Sequence, residues 1–146
     1  MASFVSSSPE ETMAIGERIA ANLKKGSIVA LYGTLGAGKT CITKGIGRFL
    51  GIDEAITSPS YTIISEYTTR HPDILPFYHI DAYRLEGDDD FIALGGEELL
   101  FGEGISVIEW SERLKSTIPA GAITVTITLL EDGHRHITIE GLETLK

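Results

Sequence analysis

The sequence predicts an α/β fold, a three-layer sandwich with a mixed central sheet that is partly parallel near a glycine-rich loop and antiparallel at a C-terminal β-hairpin. Three observations predict it. A nearly continuous apolar run from Ser27 to Tyr32 leads into a glycine-rich loop and then into apolar residues at helical spacing, giving the order strand, loop, helix. Leu75 to Tyr83 alternates with period two. Ile123, Val125, Ile127 and Leu129 alternate with Thr124, Thr126 and Thr128, and Glu131-Asp132-Gly133 then turns the chain toward Ile137 and Ile139.

Taken in order, Ser8-Pro9-Glu10-Glu11 reads as an N-cap, a proline at the first helical position and an acid at the third, a capping box. Met13, Ile15, Ile19, Ala20 and Leu23 form an apolar stripe behind it, and Lys24-Lys25-Gly26 stops it, so a helix is predicted from about Pro9 to Leu23. Ser27 to Tyr32 suits a central strand covered on both faces. After Gly38, the residues Ile42, Ile46, Phe49 and Leu50 mark a second helix that ends before Gly51. Tyr61 to Tyr67 reads as extended, and in Leu75 to Tyr83 the residues Phe77, His79, Asp81 and Tyr83 share a face. Short acidic helices are expected near Asp88 to Leu94 and Glu97 to Phe101, before a buried strand from Ile105 to Glu109.

A chain of 146 residues with 42% hydrophobic content is the size of one domain with an ordinary core. Its formal charge of −9 argues against a surface that captures nucleic acid unaided. The single Cys41 excludes an internal disulfide and a cysteine metal cluster, and it suits reducing conditions. With neither a long apolar run nor a basic-then-apolar leader, a cytoplasmic protein without membrane contact is expected.

Gly33-Thr34-Leu35-Gly36-Ala37-Gly38-Lys39-Thr40 has the spacing of a P-loop (Walker A motif): glycine, four residues, glycine, lysine and a hydroxyl. Between a strand and a helix, such a loop aims the backbone N–H groups of Gly36, Ala37, Gly38 and Lys39 at phosphates and adds the helix dipole. Lys39 then reaches the β- and γ-phosphates, and the Thr40 hydroxyl ligates Mg²⁺. A P-loop NTPase-like sandwich binding ATP is therefore expected.

Mg²⁺ also calls for a carboxylate. Asp81 and Glu109 each end a predicted strand, so either can hold the metal while the other orients or activates water. His79, on the face of Asp81, either positions a phosphate or the attacking water or is a hydrogen-bonded structural histidine. His71, His134 and His136 lack companions at metal-ligand spacing and read as surface residues. Ser58-Pro59-Ser60-Tyr61-Thr62 lies where P-loop enzymes place a γ-phosphate-sensing, switch-like loop. Trp110, beyond a strand end, reads as covering a ligand or partner, and Cys41 as small filling in the first turn of the P-loop helix.

The P-loop, Ser58 to Thr62, His79-Ile80-Asp81-Ala82-Tyr83-Arg84-Leu85 and Ile108-Glu109-Trp110 together resemble the TsaE family over about Ser8 to Ile139. The resemblance implies an ATPase, yielding ADP and phosphate, that is required for threonylcarbamoyladenosine in tRNA next to the anticodon. It implies action on a complex of TsaB and TsaD, with tRNA contacted mainly through that complex, by a chain that is a monomer when isolated. It makes Lys39 and Thr40 the phosphate and magnesium residues, Glu109 the metal-associated acid and Asp81 the water-activating or metal-linked one. Tyr83 and Arg84 are supporting residues, and Trp110 lies near nucleotide or partner. The chain departs from the family pattern at Cys41 and Ser60, where threonine is common, and at Ser111, where proline is; none of these removes a required group. A small-molecule kinase would want a basic lid, whereas Gly87 to Gly104 is acidic, and a GTPase would need an Asn-Lys-x-Asp segment that does not occur. A non-catalytic ATP-binding regulatory module is the remaining alternative.

Overall fold

The structure, a computed structural model, describes residues 2–33, 37–52, 56, 64–70, 76–83, 85–114 and 116–142. In chain order the elements are β1 (Ala2–Ser6), α1 (Pro9–Ala20), β2 (Ile28–Gly33), α2 (Lys39–Phe49), β3 (Ile64–Tyr67), β4 (Phe77–Asp81), α3 (Asp88–Ala93), α4 (Gly96–Leu100), β5 (Ile105–Glu109), a 3-10 helix (Ser111–Leu114), β6 (Ile123–Leu129) and β7 (Arg135–Glu140). Among the described residues these strands form one sheet in the order β1-β7-β6-β2-β5-β4-β3. Strands β6, β2, β5 and β4 run parallel to one another. At the margins β7 runs against β6, β1 against β7 and β3 against β4. The mixed sheet and the C-terminal hairpin are those predicted.

The apolar run of β2 becomes the middle of the sheet, and Val29, Ala30 and Leu31 are inaccessible to solvent. On one face α1 and α2 bring Ile15, Ile19, Ile42 and Ile46 against Val29, Leu31, Val107 and Val125. On the other, α3, α4 and the 3-10 helix bring Phe91, Leu100 and Leu114 against Ile28, Ile80 and Ile108. These two apolar clusters make the three layers, and each fully buried aliphatic side chain contributes about 1.5–3 kcal/mol relative to its exposed state. No helix among the described residues is long and apolar enough to cross a membrane.

Glycine sets the approach of α1 to α2. A Cβ on Gly45 would fall 2.0 Å from the Met13 carbonyl oxygen, and one on Gly16 would fall 2.4 Å from that of Ile42. The helices therefore touch backbone to backbone. Arg48 of α2 also bonds Glu10 at 3.0 Å and, through Nε, Glu17 at 2.9 Å, both on α1. Such exposed pairs add about 0–1 kcal/mol, so the crossing rests on packing.

The structure departs from the sequence reading in five places. β1 was not foreseen: only Ala2, Phe4 and the final Ser6 turn inward on a five-residue edge strand, too short a period to recognise. Helix α1 ends at Ala20 because Asn22 and Leu23 donate to Ile19 and Ala20 in tighter i to i−3 turns. The capping box is shifted: Ser8 Oγ accepts from Glu11 N as expected at 3.1 Å, but the Glu11 carboxylate returns to Ser7 N at 2.9 Å rather than to Ser8. Strand β4 ends at Asp81, so Tyr83 lies beyond it and is exposed instead of sharing its face. The 3-10 helix after Trp110 carried no apolar periodicity long enough to read.

Candidate functional site

Strand β2 ends at Gly33 and α2 starts at Lys39 with Gly38 as its N-cap. Gly38 has φ 115°, a left-handed value open to glycine, and it has no side chain to bond the first helical N–H groups. An uncapped N-terminus with its positive dipole end is suited to an anion. Arg135 of β7 donates from Nε to the Ala37 carbonyl at 2.8 Å, tying the loop's exit to the strand next to the sheet's edge. Thr34, Leu35 and Gly36 of the loop lie outside the described residues, as do Ser58, Pro59, Ser60, Tyr61 and Thr62, His71, and Arg84.

Lys39 reaches back to the end of β2. Its Nζ donates to the Gly33 carbonyl at 2.8 Å and sits 3.6 Å from the centre of the Trp110 ring. Burial lowers the pKa of this amine, opposed by the negative charges of Glu109, Glu112 and Asp81 in that order. The lysine is thus desolvated and faced by acids, in the state that a phosphate group would relieve.

Parallel register brings the two candidate acids side by side. Asp81 is the partner of Glu109 at the C-terminal ends of β4 and β5, and alternation puts both on the face covered by α1 and α2. Glu109 is almost wholly buried, and its Oε2 meets Nε2 of His79, which is fully buried. His79 is thus an interior histidine hydrogen-bonded to Glu109. Asp81 is more accessible and accepts from Tyr83 N at 3.0 Å through Oδ1.

Trp110 follows Glu109 with φ 61°, the single non-glycine left-handed residue among those described, a conformation that costs about 1–3 kcal/mol. Its ring packs at the edge of the second apolar cluster and meets Tyr83, the ring centres 4.9 Å apart and tilted by 50°. Arg113 lies 5.5 Å over the Tyr83 ring. Lys39, Trp110, Tyr83 and Arg113 thus alternate cation, ring, ring, cation from the loop to the surface. An open cleft of about 650 Å³ beside Trp110 is lined by Gly33, Glu112, Thr126, Ile127, Thr128 and Leu129. Burial and then the Glu112 charge raise the pKa of Tyr32, which precedes Gly33 on β2.

Thr40 and Cys41 stand in the first turn of α2, both partly buried. Cys41 is a free thiol. His134 bonds Asp132 at 3.0 Å on the exposed hairpin turn, and His136 bonds Ser3 Oγ at 2.6 Å across the β1–β7 pair. Among the described residues no three His, Cys, Asp or Glu side chains gather as a metal cage. Mg²⁺ in phosphate sites needs fewer: it takes one or two carboxylates and completes its shell with phosphate and water. Glu109 fits that demand, with no described residue hydrogen-bonded to its Oε1.

Sequence reasoning missed Arg135, Glu112 and Arg113. Arg135 is 98 residues from Ala37, and nothing local to a hairpin marks it as a loop anchor. Glu112 sits two residues after Trp110, where its acid could have been weighed.

The family model described as "Threonylcarbamoyl adenosine biosynthesis protein TsaE" matches residues 6–137. The chain is 43% identical over 135 residues to the "tRNA threonylcarbamoyladenosine biosynthesis protein TsaE" of Treponema pallidum, covering 92% of this chain and 97% of that one. The Bacillus subtilis protein of the same description is 40% identical over 130 residues, covering 89% and 79%. Among solved structures, the crystal structure of Bacillus subtilis YdiB superposes with a TM-score of 0.73 at 36% identity over 94% of this chain and 83% of that chain.

Proposed function

Because the chain belongs to the TsaE family of threonylcarbamoyladenosine biosynthesis proteins, we propose that it binds ATP with Mg²⁺ at the Gly33–Thr40 loop. It hydrolyses the nucleotide to ADP and phosphate and so drives a complex of TsaB and TsaD in tRNA modification. The observation that carries this reading is the buried amine of Lys39, held between the Gly33 carbonyl, the Trp110 ring and three acids at an uncapped helix start.

In this reading the N-terminal amides of α2 and Lys39 bind the β- and γ-phosphates, and Thr40 and Glu109 hold the metal. Mg²⁺, when bound, neutralises charge on the phosphate oxygens. Asp81, more accessible than Glu109 and beside it in register, orients or deprotonates the attacking water. The cleft beside Trp110 lies in the size range of small-molecule sites and gives room for the rest of the nucleotide. An acidic chain is a poor reader of tRNA, so hydrolysis is spent on partner proteins, which must favour one nucleotide state and in return alter nucleotide affinity.

Reconstitution tests this. With purified TsaB, TsaD, tRNA and the threonylcarbamoyl donor, wild-type protein and ATP should give many modified adenosines per complex, and Lys39→Ala should leave the reaction near its first cycle. Unchanged turnover when the protein is omitted would refute the coupling, and transfer of phosphate to a metabolite would make it a kinase.

A further inference from the structure

His79 is the most enclosed polar side chain at the site. It lies on β4 with Ser65 of β3 on one side and Val107 of β5 on the other, and none of it reaches solvent. An imidazole buried there carries a desolvation cost that an aliphatic side chain would avoid, so its hydrogen bonds are what it adds to the position. One of those bonds runs diagonally between strands: His79 is in register with Val107, yet its Nε2 meets Oε2 of Glu109, two residues further along β5. A carboxylate only accepts, so Nε2 carries the proton and donates it. The other ring nitrogen, Nδ1, has no hydrogen-bond partner among the described residues.

The consequence falls on Glu109. With Oε2 taken by the ring, Oε1 is the oxygen left to face a ligand, and Glu109 is the carboxylate whose charge acts most strongly on Lys39. A glutamate without such a tether would have to give up its rotamer freedom each time a ligand arrived. We propose that His79 is a positioning residue, fixing the Glu109 carboxylate so that Oε1 is presented to the divalent cation that accompanies the nucleotide phosphates. This rests on the ATP–Mg²⁺ reading above. Partners that orient a metal-binding side chain typically change metal affinity by about 10–100-fold when removed.

The test separates the metal from the phosphates. ATP affinity is measured by calorimetry with Mg²⁺ and with EDTA, and Mn²⁺ binding to the ADP complex is followed by electron paramagnetic resonance. In His79→Leu the gain in ATP affinity brought by Mg²⁺ should fall about tenfold or more and the Mn²⁺ signal should broaden or weaken, while affinity in EDTA stays within about twofold. His79→Gln, whose amide can donate to Oε2, should recover most of the gain. In the Glu109→Gln background, His79→Leu should cost nothing further. If leucine does not fold, His79→Asn, too short to reach Oε2, reads the same quantity.

Equal losses with and without Mg²⁺, or a further loss in the Glu109→Gln background, would overturn the positioning role in favour of a merely structural one. Wild-type ATP binding with an unchanged Mg²⁺ gain in the variants would overturn it alone. Failure of the wild-type protein to bind ATP would overturn the nucleotide reading first.

Discussion

The ammonium of Lys39 rests 3.6 Å from the centre of the Trp110 ring, so the cation that a P-loop offers to phosphate lies against an indole. Such a contact is worth about 0.5–2 kcal/mol, depending on how far it is desolvated. A triphosphate competes for the same ammonium.

Trp110 is the sole tryptophan, so its fluorescence reports this contact directly. Adding ATP–Mg²⁺ should shift the emission as Lys39 transfers to phosphate. Lys39→Ala should shift the emission of the free protein and abolish the response. A spectrum that is silent to saturating nucleotide and unaltered by Lys39→Ala would contradict the ring-to-ammonium relationship.

The lowered pKa of Lys39 gives a signed expectation. Burial favours the neutral amine, so the folded-state value lies below the unfolded one. At pH below the folded value the lysine is charged in both states and the full burial penalty stands. Between the folded value and the ordinary lysine value the unfolded chain holds more protons, so this group's contribution to stability improves as pH rises through that window. Titration of ¹³Cε-labelled lysines by NMR should find one resonance, lost in Lys39→Arg, below the rest, and ATP should move it upward. A Lys39 that titrates with the exposed lysines would sink the expectation.

Amide replacements separate the two acids. Glu109→Gln and Asp81→Asn should each preserve the fold and lower partner-stimulated ATP turnover by about 10²-fold or more, because each removes a charge acting in the transition state. Glu109→Gln should also weaken Mg²⁺-dependent nucleotide binding, whereas Asp81→Asn should leave it nearly intact. Near-normal phosphate release by either variant with TsaB and TsaD present would remove that acid from the mechanism.

The helix crossing predicts a stability loss without any change in chemistry. Gly45→Ala places a methyl 2.0 Å from the Met13 carbonyl oxygen, and overpacking of this kind costs about 1–3 kcal/mol, occasionally more. For a domain of this size the thermal midpoint should fall by several degrees. Gly121→Ala, where a Cβ would meet nothing within 4 Å, is the control and should shift the midpoint little. Equal midpoints for the two variants would mean the helices separate freely.

Much of the fold was legible because its signals are local. The apolar run of β2, the glycine loop and the Ile/Thr alternation of β6 each declare themselves within ten residues, and β2 is buried on both sides as such a run demands. At the candidate site, Lys39, Asp81 and Glu109 could be named because a loop motif and two strand ends are readable in one dimension. What bound them together was not. The bond of His79 to Glu109 spans 30 residues, and the hold of Arg135 on Ala37 spans 98. Both depend on strand register, which the alternation of a single strand leaves open. The left-handed turn at Trp110 was hidden too, since a bulky aromatic carries no sign of positive φ.

The sheet's outermost pair has a consequence for biosynthesis. Among the described strands, Ala2–Ser6 pairs with Arg135–Glu140 alone, so β1, made before the other described strands, waits for the last of them. The central strand waits as well, because Ile28–Gly33 lies between residues 105–109 and 123–129. Pairings this distant in sequence are slow to close, and until they do the apolar stripe of β2 has no cover from the strands that flank it. A nascent-chain experiment with stalls at successive lengths should see protection of residues 2–6 appear only once residue 140 has cleared the exit tunnel.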